Sequence, residues 1–109
     1  WGSQYEWYAH APLALKAGTS ADTIEALRLG REPAAASDEE RIVHAVTSEL
    51  LRHHGVCDAT YARAVERFGE AGVVEVASLV GYFQMVSLVL NVAGTPEEPN
   101  PDVRPLERA

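Results

Sequence analysis

The chain has 109 residues, of which 47% are hydrophobic, and a formal net charge of −7. This length fits one globular domain, which would bury about two thirds of the surface of its unfolded chain. Nucleic acids and anionic membranes bind cationic surfaces, so the acidic balance argues against both as partners. The single cysteine, Cys57, excludes an internal disulfide, a C-x-x-C redox pair and a cysteine-rich zinc site.

A capping box predicts the start of the first helix. Ser3 stands three residues before Glu6, so the serine oxygen and the glutamate carboxylate can each accept a free backbone donor. The helix would run to about Ala17 and stop at Gly18. Proline lacks a backbone N–H, so Pro12 predicts a kink inside this helix.

Two more helices are predicted in the first half of the chain. Thr19 or Ser20 would cap a short helix that closes at Gly30, and the segment REPAAAS would follow as a linker. Ser37 and Glu40 form a second capping box, for a long helix. This long helix carries one apolar stripe: Ile42, Val43, Val46, Leu50 and Leu51.

The second half of the chain is more apolar. Asp58 would cap a helix that stops at Gly69, and a final helix over residues 73–92 is apolar nearly all round. The final helix is long enough to span a bilayer, but it contains polar residues and lacks close basic flanks. We therefore expect a buried core helix or an interface helix. Its large side chains are expected in the core: Tyr82, Phe83 and Met85.

No alternating pattern typical of a strand occurs in the sequence. We therefore predict an all-α fold with about five helices. The tail after the final helix contains four prolines, so an extended arm is expected there. The N-terminal residues show no signal peptide, and the expected location is cytoplasmic.

One face of the first helix combines polar and aromatic side chains. Helical spacing places Ser3, Glu6, Trp7 and His10 on this face. A carboxylate four residues before a histidine would orient the imidazole and stabilise its protonated form, so the pair could transfer a proton near neutral pH. The same residues could instead cap the helix and form an ordinary surface pair. Spacing alone leaves both interpretations open.

The segment EWYAHAPLALKAG, which contains these residues, resembles the signature helix of the carboxymuconolactone decarboxylase family, within the alkylhydroperoxidase-D-like superfamily. The similarity extends to about residue 96. It implies a helical domain over residues 1–96, whose N-terminal part would be missing because the chain starts at Trp1, and a proline-rich arm over 97–109. It also implies a homo-oligomer (a dimer, trimer or hexamer) that acts on a small-molecule substrate without a metal or an organic cofactor.

The decarboxylase branch of this family implies a role for each residue on the face. His10 would be the general acid and base, and Glu6 would orient it. Trp7, Ser3 and Tyr82 would line the substrate site. The arginines that could bind substrate carboxylates carry no motif: Arg28, Arg31, Arg41 and Arg52.

Two alternatives to a decarboxylase are a thiol peroxidase and a non-catalytic module. A thiol peroxidase of the superfamily needs a C-x-x-C pair where this chain has Ser3 and Glu6, so peroxidase activity is not expected. A non-catalytic helical module for oligomerisation or binding would keep the fold without the chemistry. Glutamate also precedes histidine by four residues at Glu40 and His44, but neither Glu-x-x-His nor His-Glu-x-x-His occurs, so no metal site is predicted.

Overall fold

The computed structural model describes residues 1–107. It contains four helices: α1 (Gln4–Lys16), α2 (Ala21–Arg28), α3 (Asp38–His53) and α4 (Asp58–Ala93). No strand occurs within residues 1–107. The prediction of an all-α chain is therefore confirmed.

Serine side chains cap the first three helices, as predicted. Ser20 caps α2, and Ser37 caps α3 by accepting the backbone N–H of Glu40 at 3.2 Å. The Glu40 carboxylate accepts the Ser37 N–H at 3.0 Å, which completes the predicted capping box. Only half of the box forms at α1, where Ser3 Oγ accepts the Glu6 N–H at 3.4 Å and the Glu6 carboxylate lies against a side chain further along α1.

Proline does not end the first helix. α1 continues through Pro12 as one helix of 13 residues. The missing N–H removes a single backbone hydrogen bond, while α1 contacts α2 and buries Ala11. Packing of this kind can offset the loss of one hydrogen bond, so the predicted kink does not interrupt the helix.

Gly69 divides α4 into two helical segments. Its backbone has φ 73° and ψ 169°, a combination that only glycine adopts readily. The helix that was predicted to stop at Gly69 does so. The next segment, however, resumes directly after Gly69 and not at residue 73, because no further residue inside α4 departs from helical geometry.

The described chain divides into two compact units. The first contains residues 1–36 and the described residues from 84 onward, and so holds α1, α2, the end of α4 and the tail. Pro33, in the segment predicted as a linker, is fully buried, and Ala36 is buried as well. This segment is therefore packed, although it lacks helix and strand.

The second unit contains residues 37–83, with α3 and the preceding part of α4. Ile42, Val46 and Ala64 form its buried core. Partly buried apolar residues pack against this core: Leu50, Val56, Phe68, Val73 and Val76. Two members of the predicted stripe, Val43 and Leu51, are exposed instead. Each follows a core-facing residue by one position, which rotates it about 100° away from the core.

The apolar part of α4 is exposed. Only 6% of its most apolar window is buried, and Tyr82, Phe83 and Met85 are all exposed. The prediction that these three residues lie in the core of this chain is therefore wrong, because no segment within residues 1–107 covers them. α4 is also the one helix within residues 1–107 that is long and apolar enough to cross a membrane. This comparison considers only the length and composition of the helix.

The tail after α4 does not continue the helix, as the prolines predict. Residues 95–107 contain a turn but neither helix nor strand. The last two residues of the predicted arm, 108 and 109, lie outside the described residues.

Candidate functional site

Glu6 and His10 lie one turn apart on α1. His10 Nδ1 is 3.0 Å from the Oε2 atom of Glu6 and also 3.0 Å from the Glu6 main-chain oxygen. Only the main-chain oxygen meets the geometry of a hydrogen bond, since Oε2 is buried without a hydrogen-bond partner. The two side chains form an ion pair whenever the ring is protonated.

The two side chains differ in exposure. The side chain of His10 is 50% exposed, whereas that of Glu6 is 18% exposed. A partly buried carboxylate thus lies beside a half-exposed imidazole. The imidazole of His10 is therefore accessible to solvent and to a bound molecule.

The other predicted residues of α1 have defined partners. Ser3 is buried, and its hydroxyl oxygen is engaged in capping the helix. The indole Nε1–H of Trp7 donates to the main-chain oxygen of Arg104 at 2.8 Å. Trp7 lies three residues before His10, so both residues belong to one face of α1. The side chain of Trp7 is thus anchored to the C-terminal arm.

Tyr82 belongs to the second unit and not to the group on α1. It lies on α4 with an exposed side chain. Its ring meets the ring of Phe83 edge to face, with centroids 5.2 Å apart and an interplanar angle of 83°.

Two of the arginines considered for binding a substrate carboxylate already form ion pairs. Arg28 donates to both carboxylate oxygens of Glu25 at 2.8 Å. This bidentate contact lowers the pKa of Glu25 and raises the pKa of Arg28. Arg41 lies 4.0 Å from Asp38. A carboxylated substrate would have to compete with these acidic partners.

A second polar cluster joins the end of α3 to the start of α4. Glu49 accepts the Thr60 hydroxyl at 2.5 Å and the Cys57 backbone N–H at 2.7 Å. These two hydrogen bonds, the first the stronger, lower the pKa of Glu49. The cluster borders an open cleft of about 500 Å³: its lining residues are Glu49, His53, Gly55, Val56 and Cys57.

Sequence reasoning missed this cluster because it assigned the cap of α4 to Asp58. Asp58 is the first residue of the helix, and the carboxylate of Glu49 meets the backbone N–H just before it. Free N–H groups at a helix start attract negative charge. A glutamate eight residues earlier gave no local signal of that contact.

Within residues 1–107, no three His, Cys, Asp or Glu side chains are grouped so that they could hold a metal ion. A scan against protein-family models found no match to this chain, and neither did searches of curated proteins and of solved structures. The indications of function are therefore the Glu6–His10 pair and the motif that contains it.

Proposed function

We propose that this chain is a cofactor-free lyase of the carboxymuconolactone decarboxylase type, with the family's helical fold and oligomeric assembly, acting in the cytoplasm on a small carboxylated lactone or a related acid. The observation that supports the proposal is the 3.0 Å distance between His10 Nδ1 and Glu6 Oε2. A positioned acid with a fixed counter-charge is what such a decarboxylation requires.

The reaction needs one proton and no redox partner. When the carbon–carboxylate bond breaks, CO2 leaves and the electron pair stays on the substrate as a dienolate. Protonated His10, through Nε2, delivers a proton to carbon and becomes neutral, and solvent then restores its proton. The charge of Glu6 stabilises the protonated ring before transfer and fixes its orientation. Trp7 would form one wall of the site.

The test is an assay of CO2 release over a panel of carboxylated lactones and β-keto acids. We expect His10→Ala to lower the rate on an active substrate at least 100-fold, within the range for general acid–base groups. Glu6→Gln should retain more activity, because it removes the charge and leaves the ring. In D2O, the wild-type product should carry deuterium at the protonated carbon.

His44→Ala is the matched control, since His44 also follows a glutamate by four residues on a helix. The Glu40 carboxylate accepts the Ser37 N–H in a capping box, so this substitution should leave the rate unchanged. Wild-type rates in His10→Ala, or a panel that the wild type does not turn over, would contradict the proposal.

A second candidate function is a non-catalytic oligomerisation module of the same fold. The exposed apolar side chains of α4 favour it, because such a surface is typical of a helix that packs against another chain. Stable assembly in both wild type and His10→Ala, together with no turnover by either, would support the module over the enzyme.

A further inference from the structure

The C-terminal arm is held to α1 by a two-point contact. The side-chain amide of Gln4 donates through Nε2 to the main-chain oxygen of Leu106 at 2.9 Å, and its Oε1 atom accepts the Leu106 N–H at 2.9 Å. Gln4 is only 5% exposed. The buried side-chain amide of Gln4 thus gives one hydrogen bond to the main chain of Leu106 and accepts one from it. Neighbouring β-strands exchange the same pair of hydrogen bonds.

The residues on either side of Leu106 are bound through their main chain as well. The Arg104 oxygen accepts the indole N–H of Trp7 at 2.8 Å, and the Pro105 oxygen accepts Nη1 of Arg28 at 3.0 Å. The Glu107 N–H donates to the main-chain oxygen of Arg28 at 3.2 Å. From the Arg104 oxygen to the Glu107 N–H, α1 and α2 therefore pair every main-chain donor and acceptor of the arm.

Two charged side chains within residues 104–107 act on the helices: Arg104 pairs with Glu25, and the pKa of Arg28, which Glu25 raises most, is raised further by the charge of Glu107. Arg104 Nη1 lies 3.3 Å from Oε1 of Glu25, the carboxylate that also binds Arg28. Pro105 has no N–H, and none is needed at that position. α1 and α2 thus contact residues 104–107 mainly through the main chain, with a basic residue at the first position and a proline at the second.

We propose that α1 and α2 form a docking surface for an extended peptide, and that residues 104–107 are its resident, exchangeable ligand. Sheet edges bind peptides in this way: main-chain hydrogen bonds supply affinity, and side-chain contacts supply specificity. The partner that fits this surface is a segment with the chemistry basic–proline–apolar–acidic, because the resident arm places Arg104 against Glu25 and the charge of Glu107 acts on Arg28. This proposal does not depend on the lyase activity.

Hydrogen exchange of the full wild-type chain, followed by NMR, is the first test. The backbone amides of Leu106 and Glu107 and the indole N–H of Trp7 should exchange at least tenfold more slowly than in a free peptide. Trp1→Phe assigns the two indole signals. Exchange at free-peptide rates would show that the arm of the unmodified chain is not docked, and this result would overturn the proposal.

Two substitutions at one position separate main-chain from side-chain recognition. Leu106→Pro removes the N–H that Gln4 accepts. The indole N–H of Trp7 should therefore exchange at least tenfold faster than in wild type. Leu106→Ala keeps that N–H and should retain the protection. Helix content by circular dichroism should be the same in both. Equal loss of protection in the two variants would contradict recognition through the main chain.

Addition of the arm as a separate peptide tests exchange. A peptide with the sequence of residues 102–109 should bind full-length Leu106→Pro and restore protection of the Trp7 indole, whereas the same peptide carrying proline for leucine should not. Wild type should require at least tenfold more peptide, because its tethered arm has a high effective concentration. Failure of the peptide to bind the opened variant would overturn the docking surface.

Discussion

The carboxylate of Glu49 connects two helices by accepting two hydrogen bonds. Glu49 lies in α3, while its donors, the Thr60 hydroxyl and the Cys57 N–H, lie at the start of α4. Both donors stabilise the charged carboxylate, so the pKa of Glu49 falls below its ordinary value of 4.5. The side chain therefore stabilises the folded chain more when it is ionised than when it is protonated.

The sign of this effect predicts a pH dependence. Because the pKa of Glu49 is lower in the folded chain than in the unfolded chain, its contribution is complete above about pH 4.5 and is lost as the pH falls through the lowered value. We expect Glu49→Gln to unfold at a lower temperature than wild type at pH 7. The difference between the two should shrink toward pH 3, as followed by thermal denaturation.

Glu66→Gln serves as the control for this measurement. Glu66 is an exposed residue on α4, and its substitution should change the unfolding temperature little at any pH. Glu25, whose pKa is also lowered, titrates in wild type and both variants alike, so it cancels in the comparison. A constant gap between wild type and Glu49→Gln from pH 7 to pH 3 would contradict the assigned role.

At the scale of elements, Gly69 is the point at which α4 departs from helical geometry. Gly69 has no neighbouring atom within 4 Å of the position that a Cβ would occupy, so space does not restrict this residue. Its backbone conformation does, since φ is 73° and ψ is 169°. An L-residue there would be strained whatever its size.

Gly69→Ala should therefore destabilise the chain by roughly 1–3 kcal/mol. Gly81 is the matched control, because it lies within the same helix, has no positive φ and also has open space around its Cβ position. Gly81→Ala should stabilise the chain by roughly 0.4–1 kcal/mol. Denaturant unfolding measures both, and the same sign of change in the two variants would refute the assignment of strain to Gly69.

The helix starts were predictable because capping is local. Ser20, Ser37 and Glu40 act within three residues of the backbone groups that they satisfy, so the sequence alone indicates them. Pro12 and Gly69 show the limit of local rules. Both are helix breakers by composition, yet α1 continues through the proline and the helix resumes directly after the glycine.

At the scale of the whole molecule, exposed apolar residues recur along α4 at helical spacing. In the part of α4 that belongs to the first unit, they are Met85, Val89 and Val92, the last of them 88% exposed. Spacings of three and four residues place them on one face. Water-exposed apolar faces of this extent mark sites of association. A chain that carries one should pair it with another surface.

We therefore expect the chain to self-associate in sedimentation experiments and Val89→Glu to shift it toward the monomer. A carboxylate within an apolar contact would have to be desolvated, which opposes association. Leu15→Glu is the control, because Leu15 is an exposed apolar residue on α1. A wild type that sediments as a stable monomer would contradict the prediction.

The candidate site was predictable only where its residues are close in sequence. The spacing of Glu6 and His10 on a helix predicts their contact, and the structure shows it at 3.0 Å. No local rule indicates that Trp7 would bind Arg104, since 97 positions separate them. Exposure of the apolar helix was equally hidden, because burial depends on what the rest of the chain can cover.

The contact between Gln4 and Leu106 has a consequence for the order of events in folding. It joins residues that are 102 positions apart. Helices form within about a microsecond from local contacts, whereas closing so long a loop costs entropy that only an already ordered chain can offset. The arm should therefore be the last element to settle in refolding and the first to leave in unfolding, and Trp7, which it holds, would mark both moments.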